Sequence, residues 1–333
     1  MKLFAFLLIL TLSLSAGITH AFELSLPLDC QLGKSCFIQK YVDTDEKENE
    51  WRDYQCNHMS DDGHKGTDFR LRNYMEMRKG YAVLAVAPGE VTATRDGMDD
   101  ISAKKLPPGA IRDKECGNGV VIDHGKGWKT QYCHMKKGSI LVEKGSHVER
   151  GQPLGMVGLS GQTEFPHVHM SVFLNNRIID PFTGIQRYTG CGLSNINPLW
   201  QMQLLPTIMQ LTPEAILNVG FATRIPPVEE VREGKHQDIK TTPDASAIIL
   251  WADMMGIRTG DSIIFEIMAP NGEILHSQNK QIMKDYAQFY LYAGRDNSRI
   301  GRWPEGTYTG KVFIERENKT LVEAETTLTV AAE

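Results

Sequence analysis

Apolar and polar residues alternate in short runs over most of this chain, and glycine or proline closes nearly every run. Between residues 60 and 190 the runs read YAVLAVA, EVTATRD, NGVVIDHG, KTQYCHM, QPLGMVG and HVHMSVF. Period-two alternation in short segments rich in β-branched residues, bounded by turn formers, predicts half-buried strands of an antiparallel sheet with almost no helix. We place one β domain at 60–196. Ahead of it, residues 22–59 form a Cys-containing lead-in whose acidic stretch, Asp43 to Glu50, reads as a solvated loop. Residues 197–213, NPLWQMQLLPTIMQLTP, read as a connector with a helical turn or two. From 214 to 333 a second series begins: ILNVGFA, SAIILWADM, DSIIFEIMAPNGEILHS, AQFYLYAG and GTYTGKVFIERENKTLVEAETTLTV. These give seven or so regularly spaced strands, with Asn271-Gly272 as a hairpin turn. That spacing fits an immunoglobulin-like β-sandwich accessory domain.

The N-terminus departs from this pattern. Lys2 precedes an apolar run from Leu3 to Leu10, and small residues follow as far as Ala21. This is the form of a cleavable secretory signal spanning residues 1–21. The run falls short of the roughly 20 apolar residues that a spanning helix needs, so no membrane span is expected after cleavage. Cleavage would remove one charged residue, Lys2, leaving 35 basic against 41 acidic residues and a formal net charge of −6. So mild an acidic balance argues against nucleic acid as a partner, which selects for a basic face. At 333 residues, 41% hydrophobic and 23% charged, the chain has ordinary soluble composition and length for two cores.

Six cysteines (Cys30, Cys36, Cys56, Cys116, Cys133, Cys191) lie beyond the signal, and an even number in an exported chain points to disulfides. One pairing follows from local geometry. CGNGVVIDHGKGWKTQYC reads as a hairpin turning at 124–127, which brings Cys116 and Cys133 together. Alternation would aim Cys133 away from the face used by its neighbour His134. No close Cys-x-x-Cys pair offers a thiolate metal site.

The candidate chemistry lies in His64-Lys-Gly-Thr-Asp68 and, about a hundred residues on, Pro166-His167-Val168-His169. Two imidazoles and a carboxylate can close three corners of a tetrahedral zinc site and leave the fourth to water. Residues two apart on a strand share a face, so His167 and His169 both project into one cleft. A lone His-x-His pair is more often a strand with solvent-facing imidazoles. Here Tyr132-Cys133-His134 adds a further imidazole between the two blocks. Of the other histidines, His124 lies in the hairpin turn, His147, His236 and His276 have no partner at ligand spacing, and His58, close to the site in sequence, reads as a loop histidine with support of a metal ligand as the alternative.

Taken in order, VLAVAPGEVTATRDGMDD, GNGVVIDHGKGWKTQYCHM and KGSHVERGQPLGMVGLSGQTEFPHVHMSVF, followed by IIDPF, resemble the lysostaphin-type (LytM-type) zinc metallopeptidases over about residues 60 to 185. That family cuts peptides of bacterial peptidoglycan. The resemblance implies a mainly β peptidase domain with one zinc at the floor of an antiparallel β-sheet cleft. It further implies that His64, Asp68 and His169 bind the metal and that His134 and His167 are catalytic. No helical His-Glu-x-x-His supplies the glutamate base of the common zinc proteases, so those two imidazoles stand in for it. The expected function is an exported endopeptidase acting on peptidoglycan cross-links or stem peptides, with the periplasm as destination and the extracellular space as the alternative. Two other readings are an idle wall-binding module that activates another hydrolase, and the same chemistry aimed at secreted or host protein. The complete five-residue set favours the enzyme, because a binding module has no use for two non-ligand histidines.

Overall fold

The computed structural model describes residues 22–236 and 239–332; the candidate signal, 1–21, lies outside them. The N-terminal unit contains β1 (Cys36–Lys40), β2 (Thr67–Leu71), helix α1 (Tyr74–Lys79), β3 (Ala82–Leu84), β4 (Gly89–Arg95), β5 (Asn118–Gly125), β6 (Trp128–Met135), β7 (His147–Val148), β8 (Pro153–Met156), β9 (His167–Leu174), β10 (Arg177–Asp180) and β11 (Ile185–Gln186). Nine of these strands form one antiparallel sheet in the order β1-β2-β9-β6-β5-β4-β7, with β10 on the far half of β9 and β11 beyond it. β3 and β8 pair separately.

Alternation decides what each face of this sheet carries. Phe69, Tyr132, Val168, Met170 and Val172 point into the core and are almost fully buried. Residues between them, Asp68 on β2 and His167, His169 and Ser171 on β9, share the opposite face. The register sets Asp68 opposite His169 and Arg70 opposite His167. It also sets Gln131 and Cys133 of β6 opposite Ser171 and His169.

This register corrects one expectation. Cys133 pairs with His169, so its side chain lies on the face of the site and not away from it. Its neighbour His134 escapes the strict pleat because its backbone takes a left-handed φ of 61°. That conformation costs a non-glycine residue about 1–3 kcal/mol and recurs at functional sites. The expected hairpin is present, turning at Lys126-Gly127, whose φ values of 52° and 82° match the type I′ turn that suits twisted strands. Cys116 and Cys133 are bonded across it. Two further bonds, Cys30–Cys36 over 6 residues and Cys56–Cys191 over 135, complete the set. The Cys116–Cys133 bond closes a separation of 17 residues. Loops of that length predict about 3 kcal/mol of stabilisation through the unfolded state. Serine at both positions should lower the urea unfolding free energy by about that amount, and an unchanged midpoint would refute it.

The lead-in is woven into this unit. β1 pairs with β2, Leu24 N donates to Leu199 O, and Phe22 stacks on Trp128 at 4.4 Å. Within the acidic stretch, Asp43 departs from the solvated loop expected: it is fully buried, while residues 46–50 are exposed. Its carboxylate accepts from the backbone N–H groups of Asp45, Arg52 and Gly63, three donors that compensate its burial.

The connector carries one short turn of helix, α2 (Leu205–Ile208), and buries Trp200 against Phe69 and Phe182. Beyond it lie β12 (Ala215–Ala222), α3 (Val228–Arg232), β13 (Lys240–Thr241), β14 (Ala247–Ile257), β15 (Ser262–Met268), β16 (Ile274–Gln281), β17 (Tyr286–Asp296), β18 (Gly306–Arg316) and β19 (Lys319–Val330). They make a three-stranded sheet, β12-β14-β17, and a five-stranded sheet, β13-β19-β18-β15-β16. Phe221, Leu250, Phe265, Trp303, Tyr308 and Val312 belong to a single core contributed by both. Asn271-Gly272 turns the β15–β16 hairpin, as expected. The two units touch through Asn73 Nδ2, which donates to Asn218 Oδ1 at 2.7 Å, and through Arg78, which meets Glu233 at 3.0 Å.

Candidate metal centre and active-site cleft

Each of the five histidine and aspartate candidates reaches one cleft of about 890 Å³. The short loop ahead of β2 carries His64, whose Nδ1–H donates to Tyr41 O at 2.8 Å and so turns Nε2 inward. The loop crosses close over β9 at Gly66. A Cβ there would lie 2.5 Å from Met170 O and 2.7 Å from His169 Nε2, so only glycine permits the crossing. Asp68 follows at the start of β2, with His169 across the ladder.

Three donor atoms converge. His64 Nε2 lies 3.2 Å from Asp68 Oδ1, His169 Nδ1 lies 2.8 Å from the same oxygen, and the two nitrogens are 3.1 Å apart. The other ring nitrogen of His169 is 3.0 Å from Ser171 Oγ. His167 presents a different arrangement. Its Nδ1–H donates to Phe165 O at 2.9 Å, with Thr163 Oγ1 at 3.1 Å, and its Nε2 stands 3.5 Å from Asp68 Oδ1. His134 donates Nδ1–H to Ser160 O at 2.8 Å, and its ring centre is 4.6 Å from that of His167. The cleft thus holds three clustered donors and two imidazoles beside them, each oriented by a main-chain carbonyl.

Burial and neighbouring charge set the protonation of this group. Asp68 is buried, which raises its pKa, but the surrounding imidazoles, His64 and His167 foremost, hold it well below the usual carboxylate range. For His64, burial favours the neutral ring, yet the Asp68 carboxylate prevails and raises its pKa. For His169, burial prevails over Asp68 and lowers it. His134 is pushed well below the ordinary imidazole value, first by burial and then by repulsion from His167 and His169. A depressed imidazole stays neutral as pH falls toward 6.5, so it remains a proton acceptor there. An acid limb set by His134 is therefore expected to lie below pH 6.5. A kcat/KM profile already falling at pH 7 would count against His134 as the accepting group.

The partners that orient the rings are what sequence reading missed. Tyr41, Ser160 and Phe165 act through carbonyl oxygens, which leave no side-chain signature. Ser171 was discoverable, since it lies two residues past His169 on the same strand face. The other described histidines stay apart from the site. His124 bridges Pro88 O and Thr130, His236 meets Glu230, and exposed His58 sits beside Arg52 and Trp51. A second cavity of about 430 Å³ lies between β1 and the C-terminal unit and contains none of the histidines.

A fold that aims two histidines and an aspartate at one point of an open β-sheet cleft defines a metallopeptidase-like site, and the comparison with known families agrees. Residues 62–181 match Peptidase family M23. Among curated proteins, the chain is similar to the peptidoglycan DD-endopeptidase ShyB of Vibrio cholerae, 44% identical over 64 residues, 19% of this chain and 15% of that one. It is also similar to the peptidoglycan DD-endopeptidase ShyA of the same organism, 33% identical over 117 residues, 35% of this chain and 22% of that one. The chain thus spans less than a quarter of the length of either relative. Among solved structures, a zinc-containing peptidase from Vibrio cholerae aligns at 27% identity with a TM-score of 0.30, over 43% of this chain and 35% of that one.

Proposed function

We propose that this protein is an exported zinc endopeptidase that hydrolyses cross-links or stem peptides of bacterial peptidoglycan. The observation that carries the reading is the convergence of His64 Nε2, Asp68 Oδ1 and His169 Nδ1 within 3.2 Å of one another, inside a Peptidase family M23 domain. Two imidazoles and one carboxylate are a zinc donor set. Bonds of about 2.0–2.1 Å would space tetrahedral donors roughly 3.3 Å apart, close to the separations here. Three lone-pair atoms facing one another repel unless a cation lies between them, and the far nitrogens of both rings are already engaged by Tyr41 and Ser171. One zinc per chain fits this site, held by His64, Asp68 and His169.

When bound, zinc supplies a Lewis acid that brings the pKa of a coordinated water to about 7 and polarises the scissile carbonyl. The remaining steps belong to the chain's own side chains. His134 and His167 both donate Nδ1–H to the main chain, which leaves each Nε2 as a lone pair facing the cleft. One accepts the proton of the attacking water at Nε2, and the Nε2–H so formed hydrogen-bonds the oxyanion and then passes that proton to the leaving amine. Among the described residues no helix is long and apolar enough to cross a membrane. The names of the two Vibrio cholerae relatives support peptidoglycan as the substrate.

The deciding experiment incubates purified sacculi with the zinc-loaded protein, residues 22–333, and identifies the released muropeptides by mass spectrometry. Loss of cross-linked species is expected with the native protein and not with a His134→Ala variant. Sacculi whose cross-linking is unchanged would overturn the reading.

A further inference from the structure

Arg70 is an unusual residue to find fully enclosed. Its side chain is only 1% exposed, and its guanidinium donates to two neutral acceptors, Gln39 Oε1 and Leu71 O. Asp253 of the C-terminal unit favours the charged guanidinium through its field alone, and its carboxylate is engaged by Arg232 at 3.5 Å and by Gln288 at 2.8 Å. A buried cation without a directly bonded carboxylate costs several kcal/mol and contributes little to stability. Its placement therefore calls for another explanation, and the stack above it supplies one. The guanidinium carbon lies 4.6 Å from the centre of the Phe165 ring, a cation–π contact. That same ring stacks on His167 at 4.5 Å with an interplanar angle of 26°. The register closes the arrangement, because Arg70 and His167 are paired across β2 and β9. Phe165 O also accepts the His167 Nδ1–H, and the stacked ring holds the imidazole in line with that carbonyl, so the ring supports both its tilt and its tautomer. Tyr74 at the start of α1 ties down the adjoining backbone by donating to Glu164 O at 2.9 Å.

We propose that Arg70 and Phe165 form a positioning stack for His167, holding its Nε2 toward the cleft; the kinetic part of this rests on the peptidase reading above. Phe165 is half-buried, so replacing it leaves the core intact. The test compares Phe165→Leu, which removes the ring, with Phe165→Tyr, which keeps it, in zinc-loaded protein spanning residues 22–333. Phe165→Leu should lower kcat on sacculi by roughly 10–100-fold, the cost of a misplacement on the order of 1 Å, with KM and zinc content unchanged. Phe165→Tyr should restore kcat. Independently of activity, ¹⁵N imidazole spectra should show a single Nδ1-protonated His167 in the native and Tyr proteins and averaged tautomers in the Leu variant. A Leu variant that keeps both its kcat and the single tautomer overturns the proposal. So does a rise in KM at constant kcat, which would make Phe165 a substrate contact. If the native protein cuts nothing, the peptidase reading fails and the tautomer alone decides the stack.

Discussion

Alanine in place of His64 or His169 should abolish zinc retention and hydrolysis together. The native protein should hold about one zinc equivalent after dialysis, because three protein donors converge within 3.2 Å in a rigid sheet cleft. Removing either imidazole leaves one nitrogen and one carboxylate, too few to retain zinc against buffer. Losing even an outer partner of a metal ligand typically costs 10–100-fold in affinity, and losing the ligand itself costs more. Elemental analysis and sacculus digestion on the same samples check this. A His169→Ala protein that retains a full equivalent would show that the metal is held elsewhere. Glycine 66 offers a corroborating case at a residue that carries no chemistry. Gly66→Ala would drive a methyl group to within 2.7 Å of His169 Nε2, and it should weaken zinc binding without deleting a ligand.

Much of this site was legible in the sequence because its logic is that of a strand. His167, His169 and Ser171 stand two apart, and the β2 ladder sets Asp68 directly opposite His169. Period-two reasoning therefore aims His167 and His169 at one cleft before any coordinates are known. The same reasoning failed at His134. Its left-handed φ of 61° breaks the pleat, so Cys133 and the imidazole do not lie on opposite faces. Nothing in the local text YCHM marks a positive φ on a histidine. Helix α1 was missed although its signal was present. Asn73 caps it by accepting from Glu76 N, an Asn-x-x-Glu spacing of the kind that opens a helix. Long-range pairing was beyond reach for a different reason. Cys56 and Cys191 are 135 residues apart, and only the assembled fold brings Tyr54 and the segment after β11 together. The stack of Arg70, Phe165 and His167 is likewise tertiary, joining a strand residue to a loop residue 95 positions away.

The second large effect separates acid–base groups from ligands. His134→Ala and His167→Ala should each keep the zinc equivalent while hydrolysis falls by the roughly 10²–10⁴-fold expected for loss of a proton-transfer group. The distances favour this division. His169 Nδ1 sits 2.8 Å from Asp68 Oδ1 and 3.1 Å from His64 Nε2, whereas His167 Nε2 stands 3.5 Å from Asp68. The carbonyls of Ser160 and Phe165 hold the Nδ1–H of both non-ligand rings, so each offers an accepting Nε2. Burial and the adjoining imidazoles keep His134 neutral, which suits it to take a proton from water near pH 7. If the two rings act as a unit, the double variant should be scarcely worse than either single one, since groups that serve one proton transfer are far from additive. Zinc content and kcat measured on all three proteins decide the matter. Should His167→Ala lose its metal while His169→Ala keeps it, the two positions on β9 have exchanged roles, and His167 is the ligand.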